Sequence, residues 1–544
     1  MKKRVLILVS SLMIFSGQAD EKALAKLHKS FGGPVTIIPK PEKAPVIDGK
    51  LDDAAWKLAT PLELKYLTGL LEKPSQKTIG RILADEKNLY ISFDCAENDA
   101  KRMIIGGKKR DGKIWQGDSV EIFLDPGHKE KRYDYYHILI NPKGLFSDIY
   151  KKKKSWNGKI TVKTVIEANR WTVECVIPMA DLGLGKGIPK VWGINLNRHR
   201  PELGAVHPAG GGISMGVQPK IKNPELYREG EDTAWSPTLS YSNHIVQRFG
   251  HAQFAVATIP VKAPKKVFDL VLRLDFEDGK IGPFTNAVIS EKNFRGKGKS
   301  IQPEEGVMHL NLPLKDLDDM TLIYCLKLSK NERLYYYGRA PDDMQCEADR
   351  HEIFMTPAVA SKRKFPDMAT YHTHASQMAW KPEGRLRACK GPWKMMSGHF
   401  SEPSIGSVMY PGTDWVIVRT QVGQFRRQVQ QNVVPMEQNY PRGLTFNSKS
   451  KFVLDNVILF RGVDQEAPSA VTGITKKIAG DTIELSWTES KDNTLVYYYE
   501  IRSGKTVVAQ SRGLTVKIPK AKAKDLSIVA YDLYNNQSKP VAIK

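Results

Sequence analysis

The run Trp115-Gln116-Gly117-Asp118-Ser119-Val120-Glu121-Ile122-Phe123-Leu124-Asp125 sets an indole ahead of carboxylates and a hydroxyl on an alternating segment. Strand side chains alternate with period two, so part of this run points into a core and the rest outward. If the strand is unbroken, Trp115 shares a face with Glu121, six residues on. Such a face suits sugar recognition. The C–H-rich side of a pyranose stacks on an indole, and its hydroxyls need polar partners, to which a carboxylate gives a charge-assisted hydrogen bond.

Two other groupings carry reactive side chains. Glu347, Asp349 and Glu352 form a polar strand-like stretch in which Glu347 and Asp349 share a face. Glycoside hydrolysis needs two such carboxyl groups, though an exposed charged face has the same pattern. Tyr371-His372-Thr373-His374, with Tyr335-Tyr336-Tyr337, offers acid–base groups of the kind a polysaccharide lyase uses, and aims both histidines to one side, as a metal site also would. There is no H-E-x-x-H helix or phosphate loop, so zinc protease and nucleotide-dependent readings lose support.

The elements that must position these residues read as strands. From residue 46 to about 254, short alternating runs such as Asn88-Leu89-Tyr90-Ile91-Ser92-Phe93-Asp94 and Val191-Trp192-Gly193-Ile194-Asn195-Leu196-Asn197-Arg198 are broken by Gly, Pro, Asn and Asp. A Pro- and Lys-bearing connector at 259–266 precedes a second strand-rich region, and Ala467-Pro468 opens a third of about eighty residues. At 544 residues the chain exceeds one ordinary core. The expected fold is all-β: three consecutive β-sandwich domains, jelly-roll or immunoglobulin-like, at 40–258, 267–462 and 466–544, after a signal peptide at 1–19. That peptide is read from Met1-Lys2-Lys3-Arg4, the apolar residues 5–15 and Gly17-Gln18-Ala19. It places the protein outside the cytoplasm, as a secreted, periplasmic or cell-surface molecule. No later stretch reaches the ~18 apolar residues needed to span a bilayer.

The formal charge of +23 invites a polyanion, a sulfated or uronic polysaccharide before nucleic acid, which export argues against. Lysines spread for solubility would give the same sum, and residues 151–154 are the one dense lysine cluster. Five scattered cysteines have no metal spacing and read as small buried hydrophobes, with Cys325 to Cys346 a pair that an oxidising compartment would permit.

An ordered set of marks in the first domain resembles the family 9 type of carbohydrate-binding module. These are Ile47-Asp48-Gly49 with Trp56, Leu89-Tyr90-Ile91-Ser92-Phe93, the run at 115–125, Asn141-Pro142-Lys143-Gly144, Trp171-Thr172-Val173-Glu174, Trp192-Gly193-Ile194-Asn195 and Trp235-Ser236-Pro237. The resemblance implies a sugar clamped by two tryptophans. Trp115 with Glu121 matches the first tryptophan and its acidic neighbour, and Trp235 with Asp232 the second, although relatives commonly place an amide where Asp232 stands. Arg198, with Arg200 beside it, is the candidate for the family's arginine contact. A structural calcium is compatible with the resemblance, without an EF-hand loop, and no other cofactor is implied. The second region is similar to concanavalin or laminin-G jelly rolls, on Asp275-Phe276-Glu277-Asp278-Gly279 and Leu454-Asp455-Asn456-Val457. The third is similar to fibronectin type III, on Trp487, Tyr499 and Val529-Ala530-Tyr531-Asp532. The leading expectation is a carbohydrate-binding protein. A glycoside hydrolase or polysaccharide lyase with its groove in the middle domain, and a surface scaffold for protein contact, stand beside it.

Overall fold

The structure, a computed structural model, describes residues 17–71, 73–131, 133–201, 203, 205–206, 220–221, 228, 230–239, 243–262, 264–296, 298–305, 308–314, 320–328, 348–349, 351–357, 376–379, 396–397, 407–411, 415–421, 442–448, 451–522 and 524–544. Glu347, His372, His374 and Tyr335 to Tyr337 lie outside these residues, as do Cys346 and Cys389. Among the described residues the regular secondary structure is nearly all strand, as the alternating runs predict.

In the first unit an eight-stranded and a five-stranded sheet enclose one core. The strands Thr78–Ala84, Asn88–Ala96 and Arg170–Pro178 run antiparallel in the smaller sheet, and Val191–Arg200 lies between Ser119–Pro126 and Gly250–Phe254 in the larger. Local chemistry sets the turns: Asp85 Oδ1 accepts the N–H groups of Lys87 and Asn88, both at 2.7 Å, closing the hairpin ahead of Asn88–Ala96. Ile91, Phe93, Val173, Ile122 and Leu196 interleave between the sheets with the fully buried Trp171 and Trp192.

This unit begins earlier than residue 40. Val35–Ile38 pairs in parallel with Gly250–Phe254, and it follows the helix Gly17–Phe31, which the strand-based reading did not anticipate. The stretch Lys22-Ala23-Leu24-Ala25-Lys26-Leu27 consists of strong helix formers. Leu27 is buried, and the Phe31 ring stacks on His251 at 4.9 Å. The helix runs through the position expected for the end of the signal peptide.

The middle unit packs a seven-stranded against a four-stranded sheet over Phe276, Phe284, Tyr324, Phe446 and Leu459. The outer face of the larger sheet is apolar as well. Ile323, Cys325, Ile417, Ile458 and Phe460 are covered there by Leu70 of the first unit and by Leu495, Tyr497 and Leu533 of the third. Cys325 is a free buried thiol in that layer, and Cys95 and Cys175 are free thiols in the first core.

Arg419 secures the junction. Its guanidinium, 1% exposed, donates to the carbonyl of Leu533 and, at 2.6 Å, to that of Gly69. Gly69 has φ +77° and a Cβ there would lie 2.5 Å from Leu239 Cδ2 and 2.7 Å from Arg419 Nη2, so this approach requires glycine. On the third unit's side, Arg273 Nη1 donates to the carbonyls of Asp492 (2.9 Å), Asn493 and Thr494, and Arg295 Nη2 to that of Val496 at 2.8 Å.

The third unit has a three- and a four-stranded sheet over Leu485, Trp487, Tyr499 and Ile528. Where it joins the middle unit, Asp464, Asp492 and Asp532 bring carboxylate oxygens within 4.8 Å of one another. Burial raises all three carboxyl groups, and for Asp492 and Asp532 repulsion from Asp464 adds to it, taking Asp492 to about 6 and Asp532 to about 8. A carboxyl raised in the folded state keeps a proton the unfolded chain has released. The stability this contributes is present below the unfolded value near 4 and is lost as pH rises through about 8. Asp532→Asn, an isostere of the protonated acid, should therefore remove from the pH-dependence of urea unfolding a slope of up to one proton, about 1.4 kcal/mol per pH unit. Identical slopes for the two proteins would show that the cluster holds no proton in the fold.

Candidate functional site

Strand register sorts the predicted residues by face. Asn197 lies opposite both Glu121 and Ala234, and His199 opposite both Ser119 and Asp232. Ser119, Glu121, Asn197, His199 and Asp232 therefore share the outer face of the large sheet. Val120, Leu196 and Arg198 alternate with them and face the core.

The outer face is polar and largely covered. Every residue of Ser119–Pro126 is buried, because Phe123 packs with Tyr135, Val246 and Phe249 on the side that alternation turns away from the core. Glu121, 6% exposed, receives at Oε2 the amide of Asn243 (2.8 Å) and has His137 Nε2 at 2.6 Å. His137 is fixed in turn by stacking on Phe123, ring centroids 4.1 Å apart. Asn197 is 2% exposed, yet neither Oδ1 nor Nδ2 finds a partner among the described residues, and the Ser119 hydroxyl is buried and unpartnered in the same sense. Unsatisfied buried amides cost about 1–3 kcal/mol and mark places where a ligand or water completes the bonding. Along the same face, His199 Nδ1 lies 2.7 Å from Asp232 Oδ1. Burial opposes charging of this imidazole, but the Asp232 carboxylate outweighs it and holds His199 up at about 9. At neutral pH the pair presents both charges.

Trp115 is not on the strand. It belongs to the 3-10 turn Ile114–Gln116, which Gly117 and Asp118 separate from Ser119, and its ring is 46% exposed. The buried Asp118 locks that turn: its N–H donates to the carbonyl of Ile104 at 2.8 Å, its Oδ2 accepts the Ile104 N–H at 2.7 Å, and Arg228 Nη2 reaches the same oxygen at 3.1 Å. Of the lysines at 151–154, Lys154 stands alongside. Lys154 Nζ is 5.1 Å from the Trp115 ring centroid and donates to the Asp111 carbonyl at 2.6 Å, and Lys152 Nζ lies 3.6 Å from the Tyr133 centroid.

Two predicted residues stand elsewhere. Trp235, expected as a second exposed platform, is 8% exposed and belongs to the core, its ring filling the space above Gly250, where a Cβ would come within 2.5 Å. Its indole therefore does not face outward with Trp115. The physical reason is parity: Asp232 and Ala234 take the outer face, so Trp235 turns inward. Arg198 likewise points between the sheets, where Glu97, 0% exposed, accepts Arg198 Nη2 and Arg200 Nε at 2.8 Å each and Arg200 Nη2 at 3.0 Å. Burial disfavours the Glu97 carboxylate, but the two guanidiniums overcome it and pull the group below its ordinary value.

Asn197, His137, His199 and Asn243 were not named as site residues from sequence. For the strand residues the signal was present in Ile194-Asn195-Leu196-Asn197-Arg198-His199, whose apolar members fix the parity that sends Arg198 inward. For His137 and Asn243 only the fold brings them to Glu121.

The calcium compatible with the family resemblance finds no ligand group of three acids, histidines or cysteines among the described residues of the first unit. The one such group among the described residues, Asp464, Asp492 and Asp532, already accepts bonds from Thr494, Asn536 and the N–H groups of Glu466 and Tyr534.

Removing one partner from a buried charged trio costs about 3–5 kcal/mol. Arg198→Met should lower stability by that order in denaturant unfolding while leaving the affinity of the folded protein for sugar unchanged. Lost affinity at unchanged stability would make Arg198 a ligand contact.

Comparison with known proteins bears on this unit. A curated relative, endo-1,4-beta-xylanase A of Thermotoga neapolitana, is 36% identical over 90 residues, which are 16% of this chain and 8% of the enzyme. The chain thus spans only a small part of that relative. Among solved structures, a family 9 carbohydrate-binding module of Caldicellulosiruptor kristjanssonii in complex with cellotriose is 15% identical, covering 42% of this chain and 99% of the module, with a TM-score of 0.27. The complex of a module from that organism with glucose covers 40% and 95% at the same identity and a TM-score of 0.27. Residues 47–200 match the family described as carbohydrate family 9 binding domain-like, which contains Trp115, Glu121 and Asn197.

Proposed function

We propose that the protein is an exported carbohydrate-binding protein that holds a sugar at the Trp115 end of the outer face. The observation that carries this reading is the pairing of a half-exposed indole with buried polar groups whose bonding is incomplete among the described residues, the Asn197 amide and the Ser119 hydroxyl, on the face that also carries Glu121. The pyranose face stacks on Trp115, and its hydroxyls use the amide as donor and acceptor and the carboxylate as acceptor, taking the place that Asn243 holds at Glu121. The family match over residues 47–200 supports the same assignment.

The lysines at 151–154 give the reading a charge preference. Exposed Lys154 places its ammonium group 5.1 Å from the Trp115 ring centroid, so a sulfated or uronic polysaccharide is favoured over a neutral one. In this reading residues 1–19 direct export, and the concanavalin-like and fibronectin-like units present the first. Each polar contact with a sugar contributes ~0.5–1.5 kcal/mol, so single-site binding is modest and retention on a polymer relies on several copies.

Trp115→Ala should weaken retention on anionic polysaccharide about tenfold or more in affinity electrophoresis, with no new reducing or unsaturated ends released by either protein. Released ends would overturn the binding-protein reading in favour of an enzyme, and unchanged retention would remove Trp115 from the site. Binding to a sulfated polymer should also fall steeply with added salt, since exposed charges are screened over ~8–10 Å at physiological ionic strength. A salt-insensitive interaction would refute the role of the lysine cluster.

A further inference from the structure

Two histidines are sealed in the seam where the helix Gly17–Phe31 meets the first sandwich. His251 stands on Gly250–Phe254, opposite both Val35 and Gly193, and is 1% exposed. His128 lies in the turn after Ser119–Pro126, is 2% exposed and packs over Gly193, where a Cβ would come within 2.6 Å of its Cδ2. The two ring centroids are 4.3 Å apart. None of the four ring nitrogens has a hydrogen-bond partner among the described residues. Buried imidazole nitrogens ordinarily find partners, and a charged ring needs two acceptors, so packing of this kind suits the neutral form.

Three segments converge on the pair. The Phe31 ring stacks on His251, and the Pro34 carbonyl accepts the His251 N–H at 2.9 Å. The Phe31 carbonyl accepts the N–H of Lys266, in the connector to the middle unit, and the Lys266 carbonyl accepts that of Val463 at 2.9 Å. Gly32 passes so close that a Cβ would lie 2.3 Å from the Lys266 carbonyl oxygen. Gly32 and Pro34, with His251, Lys65, Arg248 and Arg419, also wall a cavity of about 590 Å³ where the three units meet.

Charge around the imidazoles is already matched. Lys266 Nζ is paired with Glu130, whose Oε1 lies 3.7 Å from His128 Nε2, so a charged His128 brings a second cation to an engaged carboxylate. Asp125 stands opposite Gly193, as His251 does. Its Oδ2 accepts the Glu130 N–H, and burial holds its carboxyl up at about 6, so it loses its charge over the acid range in which histidines gain theirs. Lys129, next to His128, is exposed, and His28, one turn before Phe31, is itself lowered by burial. Val35–Ile38, Phe31 and Gly193 carry no charge. Burial, with repulsion from Lys266 added, holds His251 down at about 3; burial, His251 and Lys266 together hold His128 well below its ordinary value.

We propose that His128 and His251 form an acid-released latch. While both are neutral they clamp residues 27–38 and the Lys266 connector onto the first sandwich, and a proton on either drives those segments off and opens the junction cavity. The docked state binds fewer protons than the released one, because burial depresses both imidazoles. Docking is therefore undiminished above the ordinary histidine value of about 6.5, and each imidazole weakens it up to about tenfold per pH unit as pH falls from there, toward about 3 for His251. The latch is independent of the sugar site at Trp115.

The test is hydrogen–deuterium exchange of the full chain at about pH 7.5 and about pH 5, with rates corrected for the intrinsic effect of pH on exchange. Peptides covering residues 27–38 and 260–268 should lose protection about tenfold or more at the lower pH, while those covering Asn88–Ala96 keep theirs. In a chain carrying His128→Asn and His251→Phe, which accept no proton, the same step should leave both segments protected; asparagine tolerates the positive φ of position 128, +47°. Unchanged protection in the unaltered protein would overturn the proposal, as would an equal loss in the substituted one. A second readout needs no substitution: exchange of the imidazole C2–H against pH reports the titration of each histidine in the unaltered chain. Both should titrate below the ordinary value, and either one titrating at or above it would overturn the latch.

Discussion

The middle unit's seven-stranded sheet is apolar on both faces, and this constraint organises the rest of the molecule. One face is satisfied within the unit by the four-stranded sheet. The other, with Ile323, Ile417, Ile458 and Phe460, would be left in water by an isolated sandwich, at ~25 cal/mol for each Å² of apolar surface. Leu70 reaches it from one side, and Leu495, Tyr497 and Leu533 from the other. A sheet with two apolar faces thus makes its neighbours part of its core, which is why Arg419 can be buried among carbonyls of units more than a hundred residues away on either side.

Three convex sandwiches meeting on one sheet do not fill space, and the remainder is the cavity at their junction. Its basic character follows from how the joint is made. Guanidinium groups bridge backbone carbonyls across the seams at Arg273, Arg295 and Arg419, a role their several donors suit better than a single ammonium does. The same residue type serves a different end inside the first sandwich, where Arg198 and Arg200 close around Glu97. Lys154, exposed beside the Trp115 ring and donating to the Asp111 carbonyl, belongs to a third class. The chain's positive charge is therefore not one property with one purpose.

Within the first sandwich, the site depends on a sheet whose second face is covered by polar and aromatic side chains instead of facing open water. Phe123, Tyr135 and Phe249 seal one part of it, and Asn197 and Ser119 remain in the other with unfilled bonding capacity among the described residues, beside Glu121. Desolvated polar groups held by neighbouring strands are preorganised, so a ligand that bonds to them loses less to reordering. Trp115, on a turn locked by Asp118, supplies the accessible surface that the strand itself lacks.

The sequence by itself determined the all-β class, the three strand-rich regions, and the run from Trp115 to Glu121, because period-two alternation and turn residues are local properties. Local alternation also contained the correct side for Arg198, since Ile194 and Leu196 share its parity. Other features were beyond local reading. The helix Gly17–Phe31 reaches its place only through Leu27 and Phe31 packing, and Val35–Ile38 becomes a strand only by pairing with residues more than two hundred positions later. Trp235 reads identically as platform or core until the register of Glu231–Ala234 against Val191–Arg200 is known. Tertiary structure alone decided that His137 and Asn243 meet at Glu121, and that the three units enclose a basic cavity, because these depend on distances between side chains that no periodicity encodes.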